Sequence, residues 1–279
     1  MKKLGLIAGG GGLPREIAEH CRRTGRPLFV VRLRGFAGPE LAAYPGAEIG
    51  LAELGRCIKA LKAAGCETVC LAGLVARPDF AALKPDLRGL AALPGAIAAA
   101  RKGDDALLRF LLGEFEKEGF AVEGAQQVTA DLALGAGPLG RIRPDADARA
   151  DAARALEVAR ALGRLDIGQA AVVCRGLVLA VEAQEGTAGM LDRVAGLPEA
   201  LRGAAHARAG VLAKAPKPIQ EMRVDMPTIG PDTVRAAAAA GLAGVVGEAG
   251  RLLIVERDAV AALADELGLF VVGLEPAQA

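Results

Sequence analysis

Apolar runs alternate with amphipathic segments along the first half of the chain. The apolar run from Leu4 to Ala8 is followed by four glycines and then by residues 13–24, which have the apolar spacing of a helix. Residues 27–33 and 67–75 are further apolar runs, and residues 53–66 between them again have helical spacing. Strands that alternate with helices favour right-handed βαβ units on a parallel sheet. The pattern therefore predicts an α/β fold with a Rossmann-like N-terminal domain.

The second half of the chain carries a different pattern, in which strand-like runs follow a long helical segment. Helical spacing extends from about Asp147 to Leu162, and two strand-like runs then flank Arg175 and Gly176 as in a hairpin. More strand signals occur in "AGVLAK" and "GRLLIVE", with a helical segment, "PDTVRAAAAAGLAG", between them. We predict a mixed α/β domain here. The predicted organisation is a Rossmann-like domain at 1–133, a Gly- and Pro-rich linker at 134–146, and a catalytic domain at 147–279.

Composition narrows the classes of partner. The 279 residues carry a net charge of +1, with one Tyr, no Trp and seven Phe, so the chain offers neither a basic surface nor aromatic stacking for nucleic acid.

The five cysteines form no CxxC pair and several lie in apolar runs, which favours a reducing cytoplasm. The longest apolar run, 89–100, is shorter than a membrane span and we expect Pro94 to interrupt it. An integral membrane protein is not expected.

The glycine cluster 9–12 lies between the first strand and the first helix. Backbone N–H groups at such a turn can bind a phosphate, and the glycines can equally serve only to pack two loops together. The cluster does not complete the dinucleotide motif GxGxxG, and Arg32 and Arg34 stand where that fold usually places an acid for the ribose. A nicotinamide-dependent oxidoreductase is therefore disfavoured.

Candidate metal ligands are carboxylates. The chain has only two histidines, without the spacing of a zinc site, so a metal would be held by oxygens, as magnesium or manganese are. Glu182 and Glu185 follow one predicted strand beside Thr187, and Asp166 and Gln169 precede the strand before it. Each residue alone is more typical of a hydrogen-bonding turn. Their clustering at the ends of adjacent strands indicates a site.

The stretch "KAPKPIQEMRVDMPTIG", residues 214–230, combines rigid turns with opposite charges. The prolines at 216 and 218 hold Lys217 in an extended backbone, and Asp225 lies just before another proline. A solvated surface loop is the alternative interpretation. Lysines beside a fixed carboxylate suit metal-assisted phosphoryl chemistry, because the cations neutralise phosphates while the acid holds a metal or orients water.

The chain resembles the LpxI type of UDP-2,3-diacylglucosamine pyrophosphatase. The resemblance rests on motifs that occur in order over nearly the whole chain: "AGGGGLP", "GLVARPD", "KGDDALLR", "LDIGQ", "EAQEGT", "KAPKPIQEMRVDMPTIGPDTV" and "GLAGVVGEAG". It implies magnesium-dependent hydrolysis of UDP-2,3-diacylglucosamine to lipid X and UMP in lipid A biosynthesis, with manganese as an alternative metal. It also implies a cytoplasmic protein at the surface of the inner membrane. A homodimer is left open.

The resemblance also implies roles for particular residues. The implied catalytic residues are Asp225, Lys214 and Lys217, and the implied metal ligands are Asp225, Glu182 and Glu185. The implied substrate contacts are Gly10, Gly11, Gly12, Asp104, Gln169, Thr187 and Thr228. Ala188 departs from the family pattern, in which an aspartate commonly follows "EGT", so no carboxylate can act at that position. The alternatives are a non-catalytic lipid- or nucleotide-binding protein and a Rossmann oxidoreductase.

Overall fold

The computed structural model describes residues 1–76, 79–80, 82–217, 221 and 223–275. The chain divides into two compact units, a first unit of 1–130 with 221–225, and a second unit of 131–220 with 226–279. The short segment 221–225 therefore belongs to the first unit although the sequence on either side of it belongs to the second. Both units combine strands and helices, so the predicted α/β class is confirmed.

The first unit is built on a parallel sheet. Its strands are β1 (Leu4–Ala8), β2 (Leu28–Leu33), β3 (Gly46–Ile49), β4 (Thr68–Ala72) and β5 (Ala121–Val122). They pair in the order β3-β2-β1-β4-β5, and every pairing is parallel. This is the strand order of a Rossmann fold, as the alternation of strands and helices predicts. All five residues of the central strand β1 are buried, which explains its continuous apolar sequence.

The first two helices of this unit lie at the positions predicted from helical spacing, 13–24 and 53–66. The helices are α1 (Leu13–Thr24), α2 (Leu54–Ala63), α3 (Leu87–Ala100), α4 (Asp104–Lys117) and α5 (Ala125–Val128), with a 3₁₀ helix at Pro39–Ala43. In α1, Pro14 occupies the first turn, where a missing N–H costs no hydrogen bond, and Gly25 ends the helix at φ 70°.

Pro94 lies inside α3, so the expectation that it interrupts the run is wrong. Proline leaves the carbonyl four residues earlier without its helical hydrogen bond. That residue is Leu90, which is 57% exposed, so water can reach this turn of the helix. At the start of α3, the Asp86 carboxylate accepts a hydrogen bond from the N–H of Gly89 at 2.8 Å and caps the helix.

The second unit contains a six-stranded mixed sheet in the order β6-β13-β11-β9-β7-β8. Its strands are β6 (Gly137–Pro138), β7 (Ala170–Cys174), β8 (Leu177–Val181), β9 (Val211–Lys214), β11 (Gly244–Glu248) and β13 (Phe270–Leu274), and β10 (Thr228–Ile229) pairs separately with β12 (Leu253–Ile254). The helices are α6 (Ala146–Arg164), α7 (Gly186–Ala195), α8 (Pro231–Ala239) and α9 (Arg257–Leu267), and a 3₁₀ helix at Ala130–Leu132 begins at the last residue of segment 1–130 of the first unit. In the stretch predicted as a linker, β6 pairs antiparallel with β13.

The hairpin predicted around Arg175 and Gly176 is present between β7 and β8. Both turn residues have positive φ, 51° and 78°, which is typical of a type I′ turn. The buried Asp151 of α6 accepts hydrogen bonds from both N–H groups, at 2.8 Å and 2.7 Å. This carboxylate fixes the conformation of the hairpin.

Helices cover both faces of the second sheet. One face packs against α7, α8 and α9 through side chains that include Leu212, Val245 and Met190, while the other face packs against α6. The strands β9, β11 and β13 are parallel, so the carboxyl ends of these three strands lie at one edge of the sheet. Lys214 ends β9 at this edge.

Candidate active site

A cavity of about 420 Å³ lies in the first unit, at the carboxyl end of its sheet. Ligands of open α/β sheets bind at this edge. Its lining is mainly apolar and includes Leu33, Ile49, Leu71, Leu93, Leu107 and Phe110. The carboxyl-bearing residues Glu53, Asp104 and Asp225 also line it. The cavity therefore joins a large apolar surface to a few carboxylates.

Asp225 lies in the segment 221–225, and its backbone N–H donates a hydrogen bond to the carbonyl of Glu221 at 3.1 Å. Asp104 is the first residue of α4. The structure thus brings together two residues that the resemblance implies, Asp225 as catalytic and Asp104 as a substrate contact, because both line one cavity. Carboxylate oxygens are among the ligands that magnesium prefers.

Asp105 attaches the segment 221–225 to α4. Its side chain is buried, and Oδ1 accepts a hydrogen bond from the N–H of Glu221 at 2.6 Å. Its other oxygen, Oδ2, accepts one from Nε of Arg109 at 2.6 Å. Sequence reasoning chose Asp104 from "KGDDALLR" and missed Asp105. Two adjacent acids at a helix start point in different directions, and only the structure shows which of them is buried.

Arg223 provides a second attachment of the same segment. Its guanidinium donates to Glu221 at 2.9 Å and 3.0 Å, and to Glu116 of α4 at 2.7 Å. The hydrogen bond from Arg223 holds the pKa of Glu221 below its ordinary value, and the same bond raises the pKa of Arg223. Sequence reasoning did not select either residue. The alternation of charge in "QEMRVD" is the signal that could have indicated an ion pair.

Lys214 is the centre of a buried polar cluster in the second unit. Only 5% of it is exposed, and Nζ donates hydrogen bonds to Oγ1 of Thr187 at 2.9 Å and to the carbonyl of Thr228 at 3.1 Å. Thr187 in turn donates to Oε1 of Glu182 at 3.3 Å. Four residues singled out from the sequence therefore meet here.

Gln169 lies at the same edge of the sheet. Its carbonyl accepts the N–H of Ala215 at 2.9 Å, and the next carbonyl, of Ala170, accepts the N–H of Glu182 at 2.9 Å. Within the part of the chain that the structure describes, Oε1 of Gln169 and Oε2 of Glu182 are buried and lack a hydrogen-bond partner. Buried acceptors of this kind indicate a place where a donor can bind.

Lys217 forms an ion pair with Asp166, with 2.6 Å between Nζ and Oδ1. The two side chains are 15% and 28% exposed, so the pair is largely shielded from water. Lys217 is therefore held in place, which the interpretation as a solvated loop does not predict. Pro218, which the sequence analysis invokes to stiffen this stretch, lies outside the described residues.

Glu185 is the N-cap residue of α7 and forms a salt bridge with Arg193, whose guanidinium also donates to the carbonyl of Val181 at 2.9 Å. A hydrogen bond from its own backbone N–H and that from Arg193 hold the pKa of Glu185 below its ordinary value. Among the described residues, no three His, Cys, Asp or Glu side chains group together as a metal site. Glu185 is already neutralised by arginine, so it is a weaker candidate for a metal than the carboxylates that line the cavity.

The glycine turn packs closely against the loop after β4. Gly10 and Leu74 exchange two backbone hydrogen bonds of 2.8 Å, and Gly9 donates to Ala72 at 2.8 Å. A Cβ at Gly9 would lie 2.7 Å from the carbonyl oxygen of Leu74, so only glycine fits there. Gly11 has φ 82°, a conformation that also favours glycine. The loop-packing interpretation accounts for Gly9 and Gly10, whose N–H groups are engaged within the protein.

These features define a two-domain α/β protein with a Rossmann-like first unit, an apolar cavity lined by acids, and a buried lysine cluster in the second unit. Residues 3–132 match the LpxI N-terminal domain, and residues 135–272 match the LpxI C-terminal domain. The chain belongs to the LpxI family, which confirms the resemblance seen in the motifs.

The UDP-2,3-diacylglucosamine pyrophosphatase LpxI of Caulobacter vibrioides is 64% identical to this chain over 276 residues, which covers 99% of each protein. A solved structure of the CobK precorrin-6A reductase is 14% identical and covers 100% of this chain and 91% of its own, with a TM-score of 0.34. That score is too low to indicate a shared fold. None of the described helices is both long and apolar enough to cross a membrane.

Proposed function

We propose that this chain hydrolyses the pyrophosphate bond of UDP-2,3-diacylglucosamine. A water oxygen forms a bond to one phosphorus while the bridging P–O bond breaks, and the products are UMP and lipid X, an intermediate of lipid A. The observation that carries the proposal is the 64% identity, over 99% of both chains, to a protein named for this activity. An identity of this size over two complete domains supports the same substrate.

The cavity of the first unit supports a lipid substrate. Its volume of about 420 Å³ and its lining of aliphatic and phenylalanine side chains suit acyl groups. We propose that an acyl chain of the substrate binds there. Leu74 and Val75 line the cavity and are 77% and 39% exposed, so apolar surface continues from its interior to the outside.

The lysines of the second unit support binding of phosphate. Lys214 is 5% exposed and the side chain of Lys217 is 15% exposed, and hydrogen bonds fix both, so they need little rearrangement to meet an anion. A fixed cation shielded from water stabilises developing negative charge more strongly than a solvated one. We propose that both ammonium groups bind phosphate oxygens of the substrate.

We propose Mg²⁺ as the cofactor, with Mn²⁺ as an alternative. The ligand set fits, because Asp225 and Asp104 both line one cavity, and magnesium is commonly held by one or two carboxylates together with substrate phosphates. When bound, the metal would neutralise charge on the phosphate oxygens. Asp225 itself, held by the attachments of its segment, would orient the attacking water.

We also propose that the protein works at the inner-membrane surface, where a diacylated substrate resides. Leu87 and Leu90, in the first turn of α3, are 89% and 57% exposed and supply apolar side chains that could contact lipid. Sedimentation with vesicles that contain the substrate tests this part separately from catalysis.

Two other functions make different predictions. A non-catalytic lipid- or nucleotide-binding protein would bind the substrate and release no UMP with any metal. An oxidoreductase would bind NADH, but Arg34, where a ribose-binding acid is usual, pairs with Glu48 at 3.2 Å and Glu53 at 3.6 Å. A titration of NADH that leaves the cofactor fluorescence unchanged is the result we expect.

The experiment that tests the proposed function is hydrolysis in ¹⁸O-labelled water. Label in lipid X identifies attack on the phosphorus attached to the sugar lipid, and label in UMP identifies attack on the phosphorus attached to uridine. Either result supports hydrolysis. Absence of both products with magnesium and with manganese would contradict it.

A further inference from the structure

We propose that Glu182 acts as a counter-charge of Lys214, through the hydroxyl of Thr187, and is a positioning residue instead of a metal ligand. The proposal rests on the proposed function, because it assigns Lys214 to the phosphates of that substrate. It replaces the metal-binding role that the sequence resemblance implies for Glu182.

The direction of the hydrogen bonds supports this role. Nζ of Lys214 can only donate, so the Thr187 hydroxyl accepts at 2.9 Å. The hydroxyl keeps one hydrogen to donate, and Oε1 of Glu182 accepts it at 3.3 Å. The carbonyl of Thr228, 3.1 Å from Nζ, fixes a second direction of the ammonium group. Thr187 thus connects the cation to the carboxylate.

The connection through Thr187 matters because both charged side chains are buried. Lys214 is 5% exposed and Glu182 is 7% exposed, so neither charge is well solvated. A buried charge is costly unless an opposite charge and hydrogen bonds stabilise it. Among the described residues, Glu182 forms no salt bridge with arginine or lysine, whereas its neighbour Glu185 is paired with Arg193. In the described part of the chain, the carboxylate of Glu182 is therefore not neutralised by a guanidinium, and its hydrogen bond with Thr187 connects it to Lys214.

The backbone fixes all three residues independently of any ligand. Lys214 ends β9 in the middle of the sheet, where β9 pairs with β11 and β7. Glu182 follows β8 directly, and its N–H is bonded to the carbonyl of Ala170 in β7. Thr187 lies in the first turn of α7. Sites on regular elements hold a catalytic side chain more accurately than loops do.

The first test changes the connecting hydroxyl. Thr187→Val keeps the shape of the side chain but removes the hydrogen bonds on both sides, so we expect kcat/KM for UMP release to fall about 10- to 100-fold. Thr187→Ser keeps the hydroxyl and should stay within about threefold of the original enzyme. Thermal unfolding of each variant checks that the fold is retained. Equal activity of Thr187→Val and the original enzyme would overturn the proposal.

The second test separates the counter-charge from a metal ligand. Glu182→Gln keeps the shape and removes the charge, so we expect a comparable loss of kcat/KM while the magnesium concentration for half-maximal activity stays within about twofold. Loss of a metal ligand or of its support typically weakens metal binding about 10- to 100-fold. A shift of that size in the magnesium dependence would overturn the proposal and restore Glu182 as a ligand.

UMP release by the wild-type enzyme separates a failure of the proposed function from a failure of the role inferred for Glu182. If the wild-type enzyme releases no UMP, the proposed function fails, whatever the variants do. If it releases UMP and Glu182→Gln and Thr187→Val both match it, only the role of Glu182 fails. Glu157→Gln is the matched control, because its carboxylate is 67% exposed and pairs with Arg154 on the same helix, and we expect its kcat/KM to stay within about threefold of the original.

Discussion

The backbone N–H of Glu221 donates a hydrogen bond to the buried carboxylate of Asp105, with 2.6 Å between nitrogen and Oδ1. The carbonyl of the same Glu221 accepts the N–H of Asp225 at 3.1 Å. The candidate catalytic acid is thus connected to the start of α4 through a single residue. The position of Asp225 in the cavity depends on this connection as well as on its own side chain.

Asp105→Ala should lower the turnover of substrate about tenfold. The substitution removes the acceptor of the Glu221 N–H, and an active-site group that loses its support is displaced from the reactive geometry. Asp105→Asn keeps an acceptor oxygen and should lose less. Steady-state rates of UMP release measure both effects. Asp192→Asn, at an exposed position of α7, is the control and should be indistinguishable from the original enzyme. Full activity of Asp105→Ala would contradict the account of this segment.

Lys217→Ala should raise the barrier to hydrolysis by about 2 to 4 kcal/mol, because a fixed cation beside a shielded phosphate is lost. Measurement of kcat/KM tests this. Arg22→Ala removes an exposed cation in the last turn of α1 and should change kcat/KM little. Wild-type values of kcat/KM in Lys217→Ala would support the alternative interpretation of residues 214–230 as a solvated surface loop.

Activity should require a divalent cation and should be abolished by EDTA. The candidate ligands are carboxylates, which bind magnesium or manganese, and these metals should restore activity without zinc. The assay follows UMP release in EDTA and after each metal is added back. Undiminished release in EDTA would exclude the metal from the mechanism.

The stability of the first unit should depend on pH through Glu123. Burial raises the pKa of Glu123, but the bidentate hydrogen bonds from Arg26, at 2.9 Å each, and the guanidinium charge hold it below its ordinary value. A carboxyl whose pKa is lowered by folding stabilises the protein above its unfolded pKa, about 4.3, and this stabilisation is lost as the pH falls through the folded pKa. Glu123→Gln should therefore lower the unfolding free energy by about 1 to 3 kcal/mol at pH 7. The substitution should also make the decrease in unfolding free energy below about pH 5 less steep.

Glu48→Gln is the control for this pH dependence. Glu48 pairs with Arg34 where the side chains are 59% and 54% exposed, so its contribution should be below about 1 kcal/mol. Chemical denaturation at pH 7, 5 and 4 measures both variants. If the unfolding free energy decreases as steeply below pH 5 in Glu123→Gln as in the wild-type protein, Glu123 is not the source of this pH dependence.

The sequence predicts the first unit well because its strands and helices are separated by clear turn signals. Gly25 ends α1, and all five residues of the central strand β1 are buried. In the second unit, "GRLLIVE" contributes only the short β12, while β11 and β13, both central in the sheet, are absent from the sequence prediction. Gly244 and Gly247 weaken the strand signal of β11. A Cβ at Gly244 would lie 2.3 Å from the ring of Phe270 in β13, so contact across the sheet requires this glycine.

The site could be predicted in part. Lysines, threonines and acids at strand ends are visible in the sequence, and Lys214, Thr187 and Glu182 do meet. The attachments of Asp225 could not be found, because Asp105 and Glu221 are more than a hundred residues apart and no local pattern connects them. The choice of Asp104 over Asp105 shows the limit, since helical position alone does not tell which acid is buried.

UMP release from UDP-2,3-diacylglucosamine by the wild-type enzyme and by Asp225→Ala, with magnesium present, tests the proposed hydrolysis most directly. We expect the wild-type enzyme to release UMP and lipid X in equal amounts, and Asp225→Ala to be slower by several orders of magnitude while its circular dichroism spectrum is unchanged. Turnover of Asp225→Ala within about tenfold of the original, a barrier change of about 1.4 kcal/mol, would contradict the role of Asp225. Failure of the original enzyme to release UMP would contradict the proposed function itself.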